Sequence, residues 1–234
     1  MDSATVGQRL QEAFDHCREM DGSVNERLAS YASALKAINP DFADAVQRLI
    51  ERLQRSGSGE GAPMAGDAMP PFALPDETGR IVTLQSLLDK GPAIITFQRG
   101  HWCPFCRINL AAISQNLDTI LSAQGQIVAI TPDRQEFSAA FKTDAAAHFP
   151  ILTDIDNGYA LSLNLAIWVG LELERMMAAR GRSLPQYQGN DAWMLPIPAT
   201  FVVGRNGIIK RRFVDPDFRR RMDIDDLIDA VRSS

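Results

Sequence analysis

Phe97-Gln98-Arg99-Gly100-His101-Trp102-Cys103-Pro104-Phe105-Cys106 lies where an apolar run of strand length, residues 93–97, gives way to a helical pattern. The run has no polar alternation, as expected of a strand buried on both faces. Downstream, over residues 107–123, Leu110, Ile113, Leu117, Ile120 and Leu121 recur at helical spacing. Two of the chain's three cysteines therefore stand at a strand-to-helix junction, three residues apart. That spacing puts both sulfurs within one helical turn, close enough to close a disulfide. A helix N-terminus offers free N–H groups and a partial positive charge. Both favour the thiolate, which is the reacting form of cysteine.

Outward from this junction the pattern is one of short strands alternating with helices. Asp76-Glu77-Thr78-Gly79 joins apolar runs at 72–74 and 81–84 in a plausible hairpin. Residues 127–131 read as a second buried strand ended by Pro132, followed by a helix over 135–147 and a short run at 150–152. Asn206-Gly207 supplies the positive φ angles of a tight turn between runs 201–203 and 208–213. Ile224, Leu227, Ile228 and Val231 give a closing helix. The fold class is α/β: a mixed central sheet with helices on both faces. Segment 159–195, with Trp168, Met176, Met177 and Trp193, is long for a connection. Core-facing helix is the expectation for those side chains, a lid or binding wall the alternative.

Before the sheet, residues 8–55 read as helical. Leu10, Phe14 and Cys17 share a face, and Ser23 with Glu26 forms a capping box ahead of Leu28, Tyr31, Leu35 and Ile38. Asn39 and Pro40 end that helix and start another, striped by Phe42, Val46, Leu49, Ile50 and Leu53. Residues 56–61, Ser-Gly-Ser-Gly-Glu-Gly, read as a flexible linker. The expected division is a helical extension (1–55) for packing or homodimerisation, a linker (56–63) and a redox domain (64–234).

The chain has 234 residues, 45% hydrophobic and 23% charged, as in ordinary globular proteins. A domain of roughly 150 residues forms a core without disulfides or metals, so core formation does not explain the cysteines. A net charge of -5 and a pI near 5.2 exclude the basic stripe of a nucleic-acid binder. Two short basic runs, 210–212 and 219–221, are interleaved with Asp215, Asp217 and Asp223 and read as solvated, salt-bridged surface. The N-terminus has no basic and apolar leader, and no run approaches the ~18 apolar residues of a membrane span. A cytoplasmic protein without membrane partners is expected. There a close cysteine pair is catalytic or metal-binding more often than structural. Zinc needs four ligands, and Cys17, His16, His101 and His148 form no second metal-spaced pair, so neither a metal nor another cofactor is expected. Inert buried thiols are the bland alternative. Against them stands Cys-x-x-Cys in a strand–helix–strand context, a redox signature.

At these residues the chain resembles the thioredoxin fold. Trp102-Cys103-Pro104-Phe105-Cys106 looks like the Trp-Cys-x-x-Cys site of thioredoxins. Pro196-Ile197-Pro198-Ala199-Thr200-Phe201 resembles the segment that carries their cis-proline, which implies that Pro198 is cis and faces the cysteines. The layout is closer still to the peroxiredoxin-like branch, the alkyl hydroperoxide reductase/thiol-specific antioxidant family. Within that family it is similar to a subgroup with a helical N-terminal extension. Matching stretches fall at 66–79, 97–106, 150–154, 196–201 and 215–220, and the resemblance spans residues 64–232. Aligned without gaps, Cys106 occupies the position of the family's peroxidatic cysteine, Cys103 that of its threonine and Arg99 that of a proline. A thiol is a weaker donor than the threonine hydroxyl. The family's arginine near Ala199-Thr200-Phe201 is missing, and Arg99 is the candidate to replace its charge. The buried carboxylate of thioredoxins falls at Phe97.

The resemblance implies reduction of hydrogen peroxide or organic hydroperoxides through a Cys103/Cys106 dithiol–disulfide cycle, reset by thioredoxin or another dithiol. By alignment Cys106 attacks, although Cys103 should be the more exposed sulfur at the helix start. The alternative is disulfide reduction, in which Cys103 attacks and Cys106 resolves. A third is a binding protein that has the fold without turnover. Arg99, His101, Trp102 and Pro198 are candidate substrate-binding or orienting residues, His101 as a nearby cation and Trp102 as a lid beside the sulfurs. Cys17, His16 and the N-terminal helices are expected to form a packing or dimer surface.

Overall fold

The computed structural model describes residues 3–234. Three helices come first: α1 (Ser3–Glu19), α2 (Val24–Ile38) and α3 (Pro40–Arg55). The expected capping box is formed, with Ser23 Oγ accepting from the Glu26 N–H and the Glu26 carboxylate accepting from the Ser23 N–H. Asn39 caps α3, with Pro40 in its first turn. The apolar stripes of these helices pack within the chain. Phe14, Leu28, Tyr31, Leu49 and Ile50 belong to one core with Ile108 and Ile113 of the helix that follows Cys103.

The glycine-rich stretch expected to be a flexible linker is packed. Ser58 N–H donates to Leu53 O at 3.0 Å, and Arg212 Nη1 donates to the carbonyls of Ala62 and Pro63. Gly59 has φ +90°, and a Cβ there would stand 3.0 Å from Val214 Cγ1. Glycine serves here as a close-approach residue.

Next come the hairpin β1 (Ala73–Pro75) and β2 (Ile81–Thr83) and the short helix α4 (Leu84–Leu88). The main sheet then begins with β3 (Ala93–Phe97), followed by α5 (Pro104–Gln115), α6 (Leu117–Ser122), β4 (Gln126–Thr131), α7 (Gln135–Asp144) and β5 (Ile151–Thr153). The single helix expected over 107–123 is two, broken at Asn116, whose side chain donates to Ala112 O. Segment 158–196 folds into α8 (Gly158–Ser162), β6 (Ala166–Trp168), α9 (Leu171–Ala178), α10 (Leu184–Gln188) and β7 (Met194–Pro196), with β6 and β7 paired antiparallel. Trp193 and Met177 are buried as expected, whereas Trp168 is 45% exposed and lies against Arg52. The chain closes with β8 (Ala199–Val203), β9 (Ile209–Val214) and α11 (Ile224–Arg232).

The five-stranded sheet has the order β5-β4-β3-β8-β9, parallel from β5 to β3 and antiparallel beyond. Every residue of the central strand β3 is buried. Alternate side chains enter opposite cores: Ile94 joins the one shared with α1–α3, α5 and α11, and Ala93, Ile95 and Phe97 the other. The β3 C-terminus is thereby fixed on both faces, and the loop that carries the cysteine pair leaves from it. No described helix is long and apolar enough to cross a membrane.

Candidate active site

Gln98 N–H continues the β3 ladder onto Ile130 O, and the chain then turns at Gly100, φ +137°. A Cβ at Gly100 would lie 2.5 Å from Trp102 Nε1 and 2.6 Å from Asp133 Oδ1, so only glycine fits this turn. Cys103 is the N-cap of α5, with Pro104 in the first turn, where its missing N–H costs nothing. Cys106 lies one turn on, and its N–H donates to Cys103 O at 3.0 Å. Both thiols are free, 1% and 0% exposed respectively.

Two buried arginines face the sulfurs. Arg99 Nη1 lies 3.9 Å from Cys103 Sγ, while the Arg99 backbone N–H donates to Cys106 Sγ at 3.3 Å. Arg221, 3% exposed, brings Nη2 to 3.5 Å from Cys106 Sγ. The Arg99 guanidinium is held 3.7 Å over the Phe218 ring and 5.0 Å from Trp102. Arg221 Nη1 is anchored on the carbonyls of Phe218 and Arg220. Among the described residues neither arginine has a carboxylate in ion-pair range. A buried, unpaired cation is strongly unfavourable, and a thiolate is the group placed to offset it.

The electrostatics divide the pair. Burial alone would raise the Cys103 thiol; hydrogen bonding from Cys106 and the Arg99 charge more than offset it, so Cys103 is held well below an ordinary thiol. Burial and the neighbouring Cys103 sulfur both push Cys106 up. The two sulfurs titrate as a pair, and the two arginines beside them favour a negative charge on it.

Cys103 also lines a cavity of about 670 Å³, together with Arg99, Trp102 and Pro104. Cys106 does not line it. Trp102 contributes a wall, and its Nε1 is buried without a partner.

The other candidates are placed differently. His101 has its ring 5.7 Å from that of Phe141, and burial with the nearby Arg107 lowers its titration, so it is neutral near pH 7. The cations beside the sulfurs are Arg99 and Arg221 instead. No peptide bond among the described residues is cis, so the expectation of a cis Pro198 is corrected. Pro198 lies where the chain passes from the β6–β7 pair into the main sheet, and Ile197 N–H, just before it, is held by Leu165 O at 2.7 Å. Cys17 is buried, its thiol 3.4 Å from Ser30 Oγ.

Arg221 was hidden from the sequence by its setting. The run 219–221 reads as surface, and Arg219 and Arg220 do pair with Asp217 and Asp215. Arg221 is the member left over, between the buried Phe218 and Met222, and that imbalance is the signal. Asp133 was also missed. It is buried, Oδ2 accepting from the His101 N–H at 2.7 Å and Oδ1 unpartnered, and burial raises it to about 7.

A thioredoxin-like sheet that delivers a cysteine pair to a helix N-terminus defines a class of thiol redox proteins. The AhpC/TSA family model matches residues 65–212, and the chain belongs to that family. It is 32% identical over 91 residues to the Mycobacterium tuberculosis protein Rv2521, which carries a peroxiredoxin name, covering 39% of this chain and 57% of that one. It is 27% identical over 93 residues to peroxiredoxin Bcp of Escherichia coli, covering 40% and 59%. The matched region thus spans less than two thirds of the length of these relatives. The crystal structure of the peroxidoxin BcpB from Mycobacterium tuberculosis superposes with a TM-score of 0.56 at 20% identity, covering 72% of this chain and 96% of that one. That likeness concerns the fold.

Proposed function

We propose that the chain is a thiol peroxidase, reducing hydrogen peroxide or an organic hydroperoxide, with Cys103 as the attacking sulfur. The observation that carries this reading is a sulfur that lines a cavity and lies beside a buried guanidinium with no carboxylate partner. The Cys103 thiolate attacks one peroxide oxygen. The S–O bond forms as the O–O bond breaks, leaving a cysteine sulfenic acid and a hydroxide or alkoxide that takes up a proton as it departs. Buried guanidiniums stabilise the charge that develops on the leaving oxygen. The Cys106 sulfur then attacks the sulfenic sulfur, the S–S bond forms, and the hydroxyl leaves as water with the Cys106 proton. An external dithiol such as thioredoxin returns two electrons and two protons. Two free thiols of this kind suit a reducing compartment such as the cytoplasm.

This order of attack reverses the one implied by ungapped alignment, which gives the first role to Cys106. The grounds are access and charge: Cys103 lines the cavity and its thiol is held low, whereas Cys106 does not line it and its thiol is pushed up. Stopped-flow mixing with peroxide, followed through Trp102 fluorescence, tests the reading. The expected result is oxidation at least a hundred-fold faster than free cysteine, abolished by Cys103→Ser and left at the sulfenic acid by Cys106→Ser. Oxidation no faster than free cysteine ends it.

The Cys103 N-cap position also suits attack on a disulfide. Insulin reduction, with a mixed disulfide trapped by Cys106→Ser alone, is the result expected of that second activity.

A further inference from the structure

The two cations beside the sulfurs share one support. Residues 215–223 join β9 to α11, and within them Phe218 and Arg221 are buried. The Phe218 ring carries the Arg99 guanidinium at 3.7 Å and lies 5.4 Å from the Phe105 ring, and its carbonyl accepts from Arg221 Nη1. The Arg221 side chain is thus folded back on its own segment. Where its backbone sits decides whether Nη2 reaches Cys106 Sγ, 3.5 Å away.

That backbone is held from 196 residues away in sequence. Asn25, in the first turn of α2, accepts from the Arg221 N–H at 3.0 Å through Oδ1 and donates to the Arg221 carbonyl at 3.0 Å through Nδ2. One side chain therefore pairs both polar groups of one residue, as a neighbouring strand would. The same Nδ2 donates to Asp223 Oδ1 at 2.9 Å, which gives the acid two residues beyond Arg221 a partner other than the guanidinium. Only a carboxamide fits this place. A carboxylate of the same size would set an oxygen against two acceptors, and a hydroxyl lacks the second arm. Asn25 and Arg221 both lie outside residues 65–212, the stretch matched by the family model.

We propose that Asn25 is a positioning residue for the cysteine pair: it fixes the Arg221 backbone and, through it, the guanidinium at Cys106. Asn25 does not line the cavity that Cys103 lines, so it acts on the sulfurs through Arg221. The other acids of the segment are taken up, Asp217 by Arg219 and Asp215 by Arg220. Without Asn25, Asp223 loses its amide partner and the segment loses its clamp. The guanidinium then moves off the sulfurs, and the thiolate loses a counter-charge.

The test is the pH dependence of iodoacetamide alkylation of the reduced full-length chain, read on the peptide that carries Cys103 and Cys106. Besides Arg99 and Arg221, the groups that act on the pair are Tyr31, pushed up to about 12 and so neutral, and Asp133, raised to about 7. On the same turn His101 is neutral near pH 7, and Arg107 of α5 is paired with Asp144. All four are common to every variant, so differences between midpoints isolate Arg221. Asn25→Ala is expected to raise the midpoint by about half a unit or more, roughly a threefold loss of thiolate below it. Alanine is the better helix former, so α2 itself does not suffer. Ser23→Ala, which uncaps the same helix without touching Arg221, should leave the midpoint in place. In an Arg221→Met background, Asn25→Ala should shift it no further. An unmoved midpoint in Asn25→Ala overturns the proposal, as does an equal shift in Ser23→Ala or a sum of the two single shifts in the double variant.

The consequence for turnover rests on the thiol-peroxidase reading and is measured separately. Below the midpoint, hydrogen peroxide should oxidise Asn25→Ala about threefold more slowly than the unaltered chain, or slower still, and equal rates there overturn this consequence. A shifted midpoint without oxidation by any peroxide removes the peroxidase reading and keeps the role of Asn25. Rapid oxidation with an unmoved midpoint does the reverse.

Discussion

Four atoms make up the proposed reactive centre: the sulfurs of Cys103 and Cys106 and the guanidinium nitrogens of Arg99 and Arg221 that face them. The Arg221 charge is one of the groups that favour the thiolate. Arg221→Met is therefore expected to raise the Cys103 titration by about one unit and slow peroxide oxidation by roughly tenfold or more. The pH dependence of iodoacetamide alkylation in a Cys106→Ser background checks the first, stopped-flow the second. Arg221→Lys should recover part of the loss, since a lysine keeps the charge but not the fork that spans two carbonyls and a sulfur. Because the Cys103 thiol is lowered, alkylation of the unaltered chain should already be near its maximum at pH 7, where free cysteine is only a few per cent ionised. At this scale the sequence was informative wherever a residue was unusual for its place. The cysteine pair was legible from spacing, and Arg99 from standing at a proline position. Arg221 was not, because three consecutive arginines among aspartates look alike until packing chooses which one goes inside.

Between residue and fold stands the turn from β3 into α5, which exists in this form because position 100 has no side chain. Gly100→Ala would place a methyl group within 2.6 Å of both Trp102 Nε1 and Asp133 Oδ1, at a φ that L residues rarely adopt. The expected outcome is a lower melting temperature and a shifted Trp102 emission, with oxidation slowed because Cys103 moves with the turn. The capping box at Ser23 is a milder case. Ser23→Ala should cost about 1 kcal/mol in urea unfolding and leave thiol reactivity unchanged, since α2 is capped at the end remote in sequence from its Tyr31 contact. Elements were legible where local signals suffice, as at this cap and at the Asn206-Gly207 turn. They were illegible where tertiary contact decides: the break at Asn116, the trans Pro198 and the packed stretch 56–63 depend on neighbours distant in sequence.

Across the whole molecule, the sheet separates two cores, and one of them is completed by helices that precede the family region. Leu28 of α2 is fully buried in that core, so Leu28→Ala should destabilise the chain by about 2–5 kcal/mol by denaturant titration. Asp133 contributes a part of the stability that falls with pH. Its folded value is raised to about 7 by burial, against about 3.9 for an exposed aspartate, so its contribution is fully present below pH 4 and is lost as pH rises to 7. Over that window the loss is roughly 4 kcal/mol. Asp133→Asn, which keeps an acceptor for the His101 N–H, should gain stability relative to the unaltered chain as pH rises from 4.5 to 7, measured by urea unfolding.

The site is also divided along the chain. Sulfurs and turn are mounted on β3 and α5, inside the family region, whereas much of the chamber in front of them is roofed by helices that precede it. Exchanging residues 3–55 for another helical prefix should therefore change which molecules reach Cys103, and it should spare the chemistry only if Asn25, which holds the Arg221 backbone at the sulfurs, is retained.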